Sequence, residues 1–257
     1  RDVAVTGVQT CALPIFARWV SRSGDASLTV HRHLAPDRPG VAPHDAVHER
    51  LLSALGPLVA PRVIDAGCGL GGTDLYLQSR MGGEYHGITL SPQQRARAEA
   101  AARRRGVGDH CRFHVRSYDG DLTDLAGEGA DLIVAIESLA HSPDPTRTIT
   151  NLAGFLRPGG RLAIVDDVPD EALPDDDPDL RGFRAGWRCE AIARHDVLLA
   201  AIARAGLKLE REEDLTSRVI MRPAQRRERL VRINRRIGAL LGRSALGALV
   251  ESLHGGL

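Results

Sequence analysis

Lysine is almost absent from this chain. Lys208 stands alone among 34 basic residues, against 33 acids in 257 positions. Arginine serves a solvated surface as well as lysine does, so the bias is read as the coding habit of a G+C-rich bacterial genome. The formal net charge of +1 gives no global field to draw in a polyanion. No basic, aromatic-rich surface is apparent either, so no nucleic acid is expected as partner or acceptor. Cysteine is scarce: Cys11, Cys68, Cys111 and Cys189 form no C-x-x-C pair and no metal-like spacing. Reduced thiols in the cytoplasm and no metal centre are expected. No uncharged apolar run approaches the roughly 18 residues of a membrane span, and no secretory pattern is visible. No feature sets an oligomeric state.

What the chain does have is apolar content, 43% of its residues, enough for one large domain or two small ones. Residues 1–15, "RDVAVTGVQTCALPI", show neither amphipathic period. They resemble translated sequencing-adapter read-through and are set aside from the fold as non-native. Residues 16–60 are read as an N-terminal arm. It has a Pro/Gly-rich linker at 36–43 and a helix that places Val47, Leu51, Leu52, Leu55 and Leu58 on one face.

From residue 61 strands and helices alternate. "RVIDAG", "YHGITL", "CRFHVRS", "ADLIVAIES" and "RLAIVDDV" read as strands. Between them "SPQQRARAEAAARRRG" opens on a Ser91 cap with Pro92 behind it and Gln94 completing a capping box. "TRTITNLAGFL" reads as a helix closed by the turn "RPGG". The alternation predicts a mostly parallel sheet with helices on both faces. Residues 166–179 hold eight acids and three prolines and suit an exposed loop. A helix over 195–206 and a half-exposed strand, "LKLEREEDLT", follow. Residues 222–243, with eight arginines against the single acid Glu228, read as a solvated basic helix. The expected division is 61–168 for a cofactor-binding core and 169–257 for a substrate-covering region.

The stretch "VIDAGCGLGG" carries the chemistry. A strand breaking into glycines lets backbone N–H groups approach a ligand. Gly67, Gly69 and Gly72 fit the dinucleotide pattern, whereas Asp65 with Gly67, Gly69 and Gly71 fits that of S-adenosylmethionine binders. A dinucleotide enzyme wants an acid about 20 residues on, and "YHGITLS" has none. Asp65 favours a cofactor with a cationic ammonium and sulfonium over a pyrophosphate, which a carboxylate repels. The alternative role for Asp65 is to cap the turn's own N–H groups.

With "VIDAGCGLGGTDLYL", "YHGITLSPQQRARA", "ADLIVAIESLAHSPDP" and "LRPGGRLAIVDDVP" in order, the chain resembles a class I S-adenosylmethionine-dependent methyltransferase. More narrowly it resembles the tocopherol, sterol and cyclopropane-fatty-acid group. The resemblance implies a Rossmann-like α/β fold, S-adenosyl-L-methionine as cofactor, and a small apolar or aromatic acceptor such as an isoprenoid or polyketide. It places Asp65, Gly67, Gly69 and Gly71 around the methionine part. Thr89 and Leu90 stand where the ribose-gripping acid usually stands. Gln94 lies near the ribose, or serves only as the partner of Ser91. Ser117 and Tyr118 stand at the adenine, with Ser117 replacing the usual Asp. Phe183 and Trp187 fall in a segment expected to cover the pocket.

The resemblance also sets Glu137 and His141 beside the methyl. His141 is the candidate base for a hydroxyl acceptor, and Glu137 the candidate stabiliser of a carbocation from an alkene. Their alternatives are a helix cap near Pro143 for His141 and an ammonium contact for Glu137. The family's sheet ends in a reversed hairpin, and no seventh strand follows "LKLEREEDL". An open reading frame cut short is therefore expected, with the sixth strand left unpartnered. Two other readings stay open: an NAD(P)-dependent oxidoreductase using the same loop, and a non-catalytic cofactor-binding fragment.

Overall fold

The computed structural model describes residues 2–6, 28–187, 189 and 192–220. Among the described residues, seven strands form one sheet: β1 (Asp2–Thr6), β2 (Arg62–Ala66), β3 (Glu84–Thr89), β4 (Cys111–Val115), β5 (Ala130–Ile136), β6 (Leu156–Val165) and β7 (Lys208–Glu213). Their order is β4-β3-β2-β5-β6-β1-β7, and every pairing is parallel. The α/β, Rossmann-like expectation holds. The order reverses at β2 and β5, and there the loops at the carboxyl ends of two neighbouring strands open a crevice.

The opening residues supply a result that sequence reasoning did not anticipate. Asp2–Thr6, set aside as foreign to the fold, pairs with Arg161–Val165 on one side and with Lys208–Glu213 on the other. The segment reads "DVAVT", and its β-branched residues suit a strand. β7 is therefore not left without a partner. A later strand would fall in residues 221–257, which lie outside the described residues, as does the expected basic helix over 222–243.

Two apolar layers sandwich the sheet because side chains alternate along each strand. Val63, Leu132, Val134, Ala163 and Val165 face one layer. Ile64, Ile133, Ala135, Leu162 and Ile164 face the other. The first layer is covered by α1 (Ala46–Leu55), α2 (Gly72–Met81) and α3 (Pro92–Arg104). The second is covered by α4 (Thr123–Ala126), α5 (Pro145–Gly154) and α7 (His195–Arg204). α1 ends at Leu55, where Gly56 turns to φ +66°, so Leu58 packs from the following loop. "RPGG" lies within β6, but between the pairs Ala130↔Leu156 and Leu132↔Arg161 the register slips. The tetrapeptide bulges out as the turn that its composition suggested.

α6 (Pro178–Trp187) brings Leu180, Phe183 and Trp187 against Ala140 and Ile192 in a small third cluster. The acidic run before it is organised. The Arg194 guanidinium donates to Asp175 Oδ1 and to the carbonyls of Asp170 and Leu173. Asp166, the first acid of that run, departs from the solvated-loop reading, for it is buried.

Candidate functional site

The glycine-rich loop joins β2 to α2 at the centre of the sheet. Gly67, Gly69 and Gly71 all take positive φ, +112°, +54° and +79°. At Gly67 a Cβ would sit 2.4 Å from Ser138 Cβ, so the loop and the segment after β5 touch only because that side chain is missing. At Gly69 a Cβ would meet Val30 Cγ2 at 2.9 Å, and at Gly72 the Leu28 carbonyl at 2.7 Å. Here the glycines admit other parts of the chain. The arm from Leu28 to Leu34 lies directly on the loop.

Asp65 points into the first apolar layer with Val63 and is buried. The turn amide of Gly67 donates to the Asp65 main-chain carbonyl at 3.1 Å, not to its carboxyl group. The alternative role of Asp65 as a cap for its own turn is thus not observed. Burial pushes the Asp65 carboxyl up to about 7, against the lowering effect of a hydrogen bond from Asp74. Asp74, in the first turn of α2, is 0% exposed. Burial and the Asp65 charge push it well above the ordinary carboxyl range. Sequence reasoning passed over Asp74, because an acid in a first helical turn is ordinary on dipole grounds.

The amides of Gly69 and Leu70 form no backbone hydrogen bond among the described residues. Asp65 Oδ2 is buried without a donor. Two amides without a backbone partner among the described residues, in the turn that leads into α2, and one buried carboxylate suit a ligand with both a carboxylate and an ammonium, the ends of a methionine moiety. The donor set therefore fits that group.

Thr89 ends β3 next door. Its hydroxyl donates to Gln94 Oε1 and accepts the Ser91 N–H at 3.1 Å. The Gln94 N–H donates to Ser91 Oγ at 3.3 Å. Half of the expected capping box is present; Thr89 replaces Gln94 in the returning half, so Gln94 reaches Thr89 and not the Ser91 amide. Leu90 is 76% exposed, an apolar side chain presented at the strand ends where a polar grip was expected. Ser117 is exposed and its hydroxyl accepts the Asp119 N–H at 3.1 Å. The Tyr118 hydroxyl donates to the Ser138 carbonyl at 2.8 Å. Both side chains are therefore held by bonds within the chain.

After β5 the chain turns sharply. Glu137 has φ +48°, a strained value for a residue with a Cβ. Its N–H donates to the Val165 carbonyl at 2.6 Å, and its Oε1 accepts the Arg32 N–H at 2.8 Å. Ser138 donates its hydroxyl to the Ala66 carbonyl at 2.5 Å. Asp166 Oδ2 accepts the N–H groups of Ser138 and Ala140, each at 3.1 Å, and Oδ1 that of Asp167 at 2.9 Å. Burial pushes Asp166 up to about 7 despite those donors. Together these bonds hold the 3-10 turn Leu139–His141. His141 closes that turn through its own N–H to the Ser138 carbonyl, at 3.1 Å. The cap of α5 is Asp144, which accepts the Arg147 N–H, so the helix-cap alternative for His141 falls.

The arm completes the enclosure. His31 Nε2 and His48 Nε2 lie 3.2 Å apart, and His48 Nε2 lies 3.1 Å from Thr73 Oγ1. The Arg32 guanidinium pairs with Asp167 at 3.4 Å. Arg32, His31, His48 and Ser138 went unnoticed in the sequence, where no pattern ties residues so far apart, and Asp166 was read there only as part of an exposed acidic loop.

A Methyltransferase domain model matches residues 64–162, which run from β2 into β6. O-methyltransferase rstn1 of Aspergillus nomiae is 30% identical over 63% of this chain and 69% of its own length. Tocopherol O-methyltransferase of Arabidopsis thaliana is 39% identical over 106 residues, 40% of this chain and 29% of that protein. The chain thus spans about three tenths of that plant relative. In fold it is similar to geranyl diphosphate methyltransferase solved with GPP and sinefungin, at TM-score 0.63 and 24% identity over 77% of each chain. The loop after β2, the switch-point crevice above it and a relative aligned over most of its length agree: the chain belongs to the class I S-adenosylmethionine-dependent methyltransferase family.

Proposed function

We propose that the chain transfers a methyl group from S-adenosyl-L-methionine to carbon or oxygen of a small apolar or aromatic molecule. The observation that carries this reading is the buried Asp65 carboxyl beneath a loop whose Gly69 and Leu70 amides have no backbone partner among the described residues. Bound there, the cofactor supplies a methyl group already activated on a sulfonium, so alignment and exclusion of water are the protein's main tasks. Asp65 and the loop amides would hold the methionine end. Leu90 offers an apolar face toward the nucleoside, with Thr89, Gln94, Ser117 and Tyr118 setting the rim. Phe183 and Trp187, packed through Ala140 onto the turn that carries His141, support an apolar acceptor.

His141 is the base that takes the proton from a hydroxyl acceptor. The Glu137 carboxylate already receives the Arg32 N–H and suits holding charge more than moving a proton. Among the described residues the buried free thiols Cys68, Cys111 and Cys189 suit a reducing cytoplasm. Equilibrium dialysis against labelled S-adenosylmethionine and NADH tests the cofactor. Retention of the first alone is expected, and retention of the nicotinamide alone overturns the reading.

A further inference from the structure

Ser138 is a small buried residue just past the carboxyl end of β5. Each of its polar groups is engaged, and each with a different segment. Its hydroxyl donates to the carbonyl of Ala66, the last residue of β2, at 2.5 Å. Its carbonyl accepts the Tyr118 hydroxyl from the loop after β4 at 2.8 Å, and the His141 N–H at 3.1 Å. Its own N–H donates to Asp166 Oδ2, just past β6, at 3.1 Å. The loop after β2 is tied in turn to β3, where the amides of Gly67 and Cys68 donate to the Ile88 carbonyl at 3.1 and 2.9 Å. The carboxyl ends of the five strands β2 to β6 thus meet through one serine.

The residue before it shows that this placement carries a cost. Glu137 holds φ +48°, a left-handed value that a side chain disfavours. The turn brings Ser138 against the glycine loop, with its Cβ 2.4 Å from where a Cβ on Gly67 would stand. Only a short side chain fits against that loop. An alanine would fit as well, but it would leave the Ala66 carbonyl without this donor. Serine meets both the limit on size and the need for a hydroxyl.

We infer that Ser138 is a positioning residue that couples the two ends of the cofactor site: it fixes the loop that holds the methionine end to Tyr118, which stands at the nucleoside. It acts through Ala66 on one side and through the Tyr118 hydroxyl on the other. The inference rests on the proposed cofactor site. It gives a task to a residue that the glycine pattern does not contain.

The test compares two ligands by titration calorimetry on the full chain: S-adenosylhomocysteine and 5′-methylthioadenosine, which keeps the nucleoside and lacks the amino-acid end. The ratio of their affinities reports the hold on the methionine end. Ser138→Ala frees the loop after β2 and leaves the Tyr118 bond to the Ser138 carbonyl in place. S-adenosylhomocysteine is expected to bind about tenfold more weakly, and methylthioadenosine within about threefold of the parent. Ser142→Ala is the control, for it removes an equally buried hydroxyl that bonds only to Thr148 Oγ1 of α5 and to the Asp144 N–H. A general loosening of the fold lowers both affinities alike, so the control keeps the parent ratio. An unchanged ratio in Ser138→Ala overturns the inference, as does an equal fall of the ratio in Ser142→Ala. Should Ser138→Ala not fold, Tyr118→Phe decides. It keeps the ring and removes the hydroxyl from the Ser138 carbonyl. Direct loss at the nucleoside weakens both ligands equally, whereas loss through Ser138 lowers the ratio; an unchanged ratio overturns the inference. A parent that binds neither ligand, or both equally, instead removes the reading of the methionine site, and the inference falls with it.

Discussion

The main-chain N–H of Arg32 donates to the Glu137 carboxylate across 2.8 Å, joining two residues 105 positions apart in the chain. The bond closes the arm over the loop that follows β2, and it sits on a residue whose backbone is itself strained at φ +48°. Glu137→Ala removes the acceptor. Hydrogen bonds to charged groups are worth about 1.5–3 kcal/mol, so exchange of the Arg32 amide is expected to quicken by roughly 10- to 100-fold. Amide exchange read at Arg32 checks this. An unchanged rate would show that the arm is held by its other contacts alone.

His141→Ala is expected to lower kcat by about 100-fold or more for a hydroxyl acceptor, in line with the loss of a general base. Binding of S-adenosylhomocysteine should be unaltered. Turnover within about threefold of the parent would take His141 out of the mechanism.

His31 and His48 make the fold sensitive to acid. Burial and the neighbouring His48 push His31 down to about 3, and burial lowers His48. Their folded values lie below the unfolded value, so the unfolded chain takes up protons first as pH falls through 6.5. Stability is fully present above that point and is lost below it, at up to about 1.4 kcal/mol per pH unit for each histidine. Asp65 and Asp166 oppose this trend, because their raised values favour the folded state below about 7. The His31 contribution is therefore read as the difference between the parent and His31→Gln in urea unfolding from pH 7.5 to 5. That difference should shift against the parent as pH falls. A constant difference would show that His31 is not buried as a neutral group.

Gly67 and Gly106 share a positive φ and little else. Gly67→Ala drives a Cβ to 2.4 Å from Ser138 Cβ at φ +112°, whereas Gly106→Ala at φ +70° meets nothing within 4 Å. The second should cost only the left-handed backbone strain, about 1–2 kcal/mol. The first adds a clash between two rigid segments and should cost at least twice that or prevent folding. Thermal unfolding of both variants checks the order, and equal losses would show that the β5 segment yields easily.

The sheet, the glycine-rich turn and the helix opening at Ser91 were legible because their signals are local: an apolar run, glycines at fixed spacing, a serine before a proline. Thr89 and Gln94 were each expected near the ribose, and their mutual bond was not foreseen, because a capping box and a Thr–Gln pair draw on the same letters. Asp166 hid in an acidic run whose remaining members are largely exposed. Asp74 hid where acids are ordinary, and only the depth of α2 against β3 and β4 makes it unusual. His31 and Arg32 carry no periodic signal at all. Their partners, His48, Glu137 and Asp167, come from elements that meet only after the sheet has formed.

The place of β1 between β6 and β7 has a consequence in time. Residues 2–6 come earlier in the chain than both of their partners, at 161–165 and 208–213. The β-branched segment waits for both partners while the intervening strands are made, and its insertion closes the longest separation among the described strands. Pairings of such sequence separation are slow to form, and a waiting strand is open to capture by other chains. Synthesis rate and chaperone supply should therefore govern the yield of folded protein more than the stability of the finished sheet does.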